Sequence, residues 1–231
     1  PMCHRALPIE LPCTSSSVPP RANSLNYQSW LLQNFRDAKF TVEDLTKLLP
    51  SILTDPITGL ATSQSLHHAL WLSVNTSAKY VDLDIRNLGG LNAYRGSIHL
   101  ANKDLKRICS IVTQEVETSF LDGEILAFRQ GGDEFSILIC SEVDEETIRG
   151  VLKSAKQKVE FYAEKEGLHR IPHPKSSPGH IVPPGVSIYF GITSCLDKKT
   201  IGEILESADS ATELMKKQLV SSQPIHNTIS A

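Results

Sequence analysis

The chain has no surplus of positive charge. Its 23 Lys and Arg stand against 26 Asp and Glu, for a formal net charge of −3. That balance excludes a general nucleic-acid or membrane-surface binder, because neither partner would attract it over long range. No apolar run is long enough to span a bilayer, and the start, PMCHRALPIELPC, lacks a signal-peptide core. The proline ahead of Met2 looks appended, so upstream residues are expected to be missing. Nor is there a disulfide framework: the five cysteines are odd in number and widely scattered. Cys109, Cys140 and Cys195 lie in apolar segments, where small buried thiols are common. This usage points to a reducing cytoplasm. What is present, 40% apolar residues in a chain of 231, suits a soluble globular domain with an appendage.

Residues 1–23 are rich in Ser and Pro and read as disordered. Residues 24–53 read as a helical N-terminal segment. Leu25, Leu32 and Phe35 mark a first helix, and Leu45, Leu48, Leu49 and Ile52 a second that Thr41 and Asp44 would cap. These helices either cover the main domain or form a stalk that carries a signal from an upstream sensor or partner protein. A domain is expected over 54–219, followed by a flexible tail over 220–231.

Within that domain, turn-rich TDPITGLAT precedes a helix in SQSLHHALWLS, and AKYVDLDI reads as a strand. Helices are predicted over about 98–117, 145–166 and 201–218, with a further strand in VSIYFGIT. Interleaved strands and helices give an α/β or α+β fold. His169, His173 and His180 lie in a proline-rich loop without a cysteine or acidic partner nearby, and read as solvated rather than zinc-binding. His67 and His68 read as ordinary helix residues.

The stretch LAFRQGGDEFSILI reads as two strands joined by a turn with Gly131, Gly132, Asp133 and Glu134 at its tip. An exposed turn could carry two carboxylates for solubility alone. However, Asp82 and Asp84 share one face of AKYVDLDI, a strand that could pair beside the hairpin. Two carboxylates about 4 Å apart repel by roughly 4 kcal/mol at an intermediate dielectric constant. A fold tolerates this if a cation sits between them or if one stays protonated. Oxygen donors with no His or Cys nearby favour Mg²⁺.

The string RQGGDEF (Arg129–Phe135) resembles the signature of GGDEF domains, the diguanylate cyclases. DPITGL (Asp55–Leu60) resembles that family's D-x-L-T-G-L, VDLDI its metal-binding strand, and VSIYFGIT its S-I-G strand with two residues more. ESADSATELMKK is similar to its closing helix, A-D-x-A-[LM]-Y-x-A-K. Five pieces in order, over about Asp55 to Lys217, make the resemblance specific.

The resemblance implies a palm-like, mostly antiparallel sheet flanked by helices, in a homodimer that condenses two GTP into cyclic di-GMP with Mg²⁺ or Mn²⁺. It also implies a bacterial signalling protein. Carried over residue by residue, Asp82, the Leu83 carbonyl, Asp133 and Glu134 become metal ligands, and Asp133, Glu134 and Lys216 the catalytic set. Gly131 and Gly132 would let phosphates approach the backbone. Arg129, ahead of the glycines, pairs structurally across the sheet. Arg86 either binds triphosphate or sits at the surface.

Where the family reads F-K-x-I-N-D-x-x-G-H-x-x-G-D, this chain has IRNLGGLNAYRGSIHLAN. Aligning Asn92 with the guanine-binding Asn requires extra residues, Gly89 and Gly90 among them. Leu100 and Ala101 then replace G-D, with Asn102 adjacent. The lost aspartate would accept from guanine N1–H and N2–H, whereas Asn102 offers one acceptor. A buried donor left unpaired costs about 1–3 kcal/mol. The product is therefore cyclic di-GMP, a mixed dinucleotide, or none, the last describing a degenerate module that binds GTP or a protein partner. The family's arginine after the last lysine has no counterpart near Val220. Asp122 and Ile125 stand where its product-inhibition site needs R-x-x-D, so such inhibition is expected to be absent.

Overall fold

A computed structural model describes residues 53–121, 124–176 and 182–221, with side chains to 218. The expected N-terminal helices, the tail beyond 221, Asp122 and His180 lie outside the described residues. The strands are β1 (Ala61–Thr62), β2 (Lys79–Arg86), β3 (Glu124–Gly131), β4 (Glu134–Cys140) and β5 (Ser187–Ser194). The helices are α1 (Ser63–Ser73), α2 (Leu88–Arg95), α3 (Ile98–Ser119), α4 (Glu145–Lys165) and α5 (Ile201–Ser221), with a 3₁₀ turn at Leu168–Arg170.

The strands form one sheet in the order β1-β3-β4-β2-β5. Only the β1–β3 pair is parallel. The mixed α/β, mostly antiparallel architecture is the one expected. Alternation along β2 divides the molecule into two layers. Val81, Leu83 and Ile85 point to one face, where they join Phe135, Ile137, Ile188 and Phe190. Two amphipathic helices cover that face: α3 through Leu105, Ile108, Val112 and Val116, and α4 through Ile148, Leu152, Ala155 and Val159. The Asp144 carboxylate starts α4 by accepting from the Thr147 N–H at 2.9 Å. On the other face Tyr80 and Leu138 pack with Leu66 and Leu70 of α1 and with Ile204 and Ala208 of α5.

Three details depart from expectation. The hairpin is longer and tighter: β3 and β4 run to Gly131 and Glu134, which pair directly across Gly132 and Asp133. A register shift between Arg129 and Gly131 makes this possible, and both glycines take positive φ, +151° and +51°. Second, α2 forms despite the unfavourable Gly89–Gly90 pair. Leu91 anchors it in the core, and a Cβ on Gly90 would stand 2.2 Å from Asn87 Oδ1. Buried Asn87 in turn donates to the carbonyls of Ile171 (3.0 Å) and Pro172 (3.3 Å), so the glycine makes room for an anchor. Third, Cys109 and Cys195 are buried, but Cys140, at the end of β4, is exposed; all three are free thiols.

Candidate active site

The end of the sheet at the β3–β4 turn gathers the acidic residues. Asp84 on β2 lies directly across from Glu134 on β4, and Asp82 across from Ser136. On the other side of β2 the same two aspartates face Tyr189 and Gly191 of β5. Asp133, half-buried in the turn, accepts at its backbone carbonyl from the Ile85 N–H at 2.9 Å, which fixes the turn against β2. Leu83, between the aspartates, is fully buried.

Helix α5 crosses this row with Asp209, Thr212, Glu213 and Lys216, spaced so that they share one side of the helix. The Thr212 hydroxyl donates to Asp82 Oδ2 at 2.8 Å. Lys216 Nζ stands 3.0 Å from Asp84 Oδ2 and 2.8 Å from Glu213 Oε1, and 6.0 Å from the centre of the Tyr189 ring. The repulsion that the sequence assigned to a cation or a bound proton thus meets a third solution, the ammonium of a lysine 132 residues further along the chain than Asp84. No short motif carries that pairing, but the helical spacing of Asp209, Thr212 and Lys216 could have flagged the face.

Burial, more than any neighbour, pushes the Asp82 carboxyl above the usual range; the Thr212 hydroxyl opposes it, and Asp209, Glu134 and Asp84 add to it. Asp84 is raised likewise by burial, against the pull of Lys216, with Asp133 pushing it further up. The charges that act most on Asp82 are therefore Asp209, Glu134 and Asp84, while Asp133 acts on Asp84. Asp84, expected beside the hairpin though not as a metal ligand, belongs to the cluster, and so does Asp209, which the sequence did not single out. Burial lowers the affinity of Lys216 for its proton, but Glu213 and Asp84 more than reverse this and hold the ammonium firmly charged.

Arg129 has a structural place. Its Nη1 stands 3.1 Å from both oxygens of Asp55, and its Nη2 donates to the Gly132 carbonyl at 3.0 Å. Asp55 also accepts from the Thr58 N–H (2.8 Å) and hydroxyl (2.7 Å). Two sequence pieces far apart, DPITGL and RQGGDEF, are thus one device that braces the turn. Gly131 and Gly132 are exposed, and no atom lies within 4 Å of where their Cβ would be, so the space over the turn is open.

Asn92 is exposed on α2 and Asn102 half-buried on α3, and neither side chain has a hydrogen-bond partner among the described residues. The buried acid on this side is Asp104, which both Nε (2.6 Å) and Nη2 (3.0 Å) of Arg95 and the Tyr162 hydroxyl (2.6 Å) already occupy. Arg86 donates to the carbonyls of Gly185 (3.2 Å) and Pro184 (3.1 Å). In the proline-rich loop, His169 accepts from Arg170 and His173 from the Lys175 N–H. A cavity of about 820 Å³, lined largely by apolar residues such as Leu72, Leu126, Phe128 and Leu138 with Glu124 at its wall, includes none of Asp82, Asp84, Asp133 or Glu134.

Among the described residues, no three acidic, histidine or cysteine side chains form a ready-made cation cage. Magnesium does not need one, because one or two carboxylates with substrate phosphates and water suffice. Asp82 meets that requirement: its Oδ1 has no hydrogen-bond partner among the described residues. No helix among them is long and apolar enough to cross a membrane.

No family model matches the chain, and no curated protein matches it in sequence. Solved structures do resemble it. The diguanylate cyclase SiaD of Pseudomonas aeruginosa, determined with its activator SiaC, is 19% identical with a TM-score of 0.55 over 83% of this chain; the chain spans 66% of that one. The coiled-coil and GGDEF region of DgcB from Caulobacter crescentus, determined with c-di-GMP, is 16% identical with a TM-score of 0.55, over 83% of this chain and 91% of that one. The GGDEF domain of TpbB (YfiN) from Pseudomonas aeruginosa gives 17% identity and a TM-score of 0.52, over 71% and 89%. At such identities the likeness speaks of backbone architecture, and it agrees with the order of the motifs: the chain has the GGDEF-domain fold.

Proposed function

We propose that the protein is a GGDEF-type nucleotidyl cyclase that condenses two GTP into cyclic di-GMP with Mg²⁺ or Mn²⁺, as a homodimer in the bacterial cytoplasm. The observation that carries this reading is the register: Asp82 and Asp84 lie on the strand next to the GGDEF hairpin, with Glu134 directly opposite Asp84. Asp82, Asp133, Glu134 and the Leu83 carbonyl would hold the metal. Bound there, it would neutralise the triphosphate and favour ionisation of the attacking hydroxyl. In each half-reaction a 3′-oxygen forms a bond to the α-phosphorus of the other GTP, the α–β phosphoanhydride bond breaks, and pyrophosphate leaves. Asp133 would take the hydroxyl proton. Lys216 would turn from Glu213 towards phosphate, and the open space over Gly131 and Gly132 gives the triphosphate access to backbone N–H groups. Asn92 and Asn102 would read the base, and Arg86 would add positive charge once released from its loop carbonyls.

A second reading has its own support. Lys216 is clasped by two carboxylates, and both oxygens of Asp104 are taken by Arg95. These contacts suit a module that binds GTP or a protein partner, through its N-terminal segment or otherwise, without turnover, or a cyclase of altered base preference. Incubation with Mg²⁺ and each labelled nucleoside triphosphate separates the readings. A dinucleotide that disappears in Asp133→Ala is the expected result. GTP binding without product would replace the cyclase by the binding module.

A further inference from the structure

The closing-helix pattern carries Leu or Met at the position of Thr212, so this hydroxyl belongs to the chain itself rather than to the pattern. It is 1% exposed, and its Oγ1 lies 2.8 Å from Asp82 Oδ2 and 3.1 Å from the Ala208 carbonyl. A hydroxyl has one proton and can donate to one of them at a time. Threonines within helices ordinarily return that proton to the carbonyl four residues back. Here a carboxylate, the stronger acceptor when ionised, is the nearer of the two.

The backbone around this contact is cut to admit it. Gly191 of β5 sits beside Asp82 in the ladder, and a Cβ there would stand 2.6 Å from Thr212 Oγ1 and 2.1 Å from the Ala208 carbonyl oxygen. Glycine at 191 is what lets α5 come down far enough for its hydroxyl to reach across β5 to β2.

We propose that Thr212 is a positioning residue for Asp82. It ties down Oδ2, fixes the carboxylate plane, and leaves Oδ1 as the oxygen offered to a divalent cation. The inference rests on the reading of Asp82 as a metal ligand. Partners that orient a ligand are typically worth about 10–100-fold in metal affinity.

The test measures Mn²⁺ binding to the full chain, without nucleotide, by loss of the free-Mn²⁺ electron paramagnetic resonance signal, with melting temperatures taken in parallel. Wild type, Thr212→Val, Thr212→Ser and Asp82→Asn are compared. The expected result is binding by wild type, loss in Asp82→Asn, weakening by about 10–100-fold in Thr212→Val, and recovery in Thr212→Ser. Unchanged affinity in Thr212→Val while Asp82→Asn loses binding would overturn the role of Thr212 and leave the metal reading standing. Equal weakening in the Val and Ser variants, in step with their melting temperatures, would assign Thr212 to packing and overturn the proposal. No Mn²⁺ uptake by wild type would remove the metal reading itself, and the positioning role with it.

Discussion

Asp82 is held in a place that its ionised form disfavours. Burial raises its folded carboxyl above the ordinary aspartate value of 3.8, and the neighbouring acids push it further. Between 3.8 and the raised value the folded state binds more protons than the unfolded one, so stability falls as pH rises through that window. Asp82→Asn keeps an oxygen for Thr212 and removes the charge. It should raise the melting temperature at pH 7 to 8, a gain that shrinks on acidification and is gone below the unperturbed carboxylate range. Scans across pH would check this; a destabilised Asn variant at neutral pH would contradict it. Glu213 makes a different prediction. Exposed ion pairs of this kind contribute about 0.2–1 kcal/mol, so Glu213→Gln should release Lys216 and tighten GTP binding by no more than about fivefold. Lys216→Ala should weaken it. Equilibrium dialysis would read both, with Glu206→Gln, earlier in the same helix, as a control for loss of charge alone.

At the scale of elements, two contacts hold the candidate site in register. Arg129 joins the DPITGL segment to the hairpin through Asp55, whose carboxyl is pushed up by burial but brought lower overall by Thr58 and Arg129. Its contribution to stability is therefore present above the ordinary carboxylate range and lost as pH falls through the lowered value. Arg129→Ala strips that partner from a half-buried acid, and we expect a loss of about 1–3 kcal/mol, measurable by urea unfolding at pH 7. Gly191→Ala meets the backbone of α5 at 2.1 Å. Overpacking of this sort costs about 1–3 kcal/mol, and for a chain of this size it should lower the melting temperature by several degrees.

Much of this level was legible in the sequence. The stripe Ile148, Leu152, Ala155 and Val159 announces α4, and the alternation of Val81, Leu83 and Ile85 with Asp82 and Asp84 announces β2, because period alone decides which face is buried. The hairpin was readable from its glycines, except for the register shift that lengthens it. Helix α2 was not: Gly89 and Gly90 argue against it locally, and what supports it, Asn87 reaching Ile171, spans 84 residues. The clasp of Lys216 on Asp84 escaped for the same reason, since long-range pairing leaves no periodic trace. Sequence could nominate Asp82, Asp84, Asp133 and Glu134 as neighbours; it could not say that Asp209 would stand with them.

For the whole molecule, the proposed reaction needs two copies, each bringing one GTP. Specific activity should therefore rise with protein concentration through the range in which the dimer forms, and sedimentation velocity should show the dimer fraction rising in parallel. Activity strictly proportional to protein down to concentrations where only monomer sediments would exclude the face-to-face arrangement.

The clasp across α5 also has a temporal side. The chain is made from its N-terminus, so the strand with Asp82 and Asp84 is complete long before Lys216 exists to face it. Until α5 is made, the acidic residues of β2 and the hairpin lack the lysine that faces them. A chain stopped short of residue 216 would leave Asp84 without the ammonium that faces it in the folded protein.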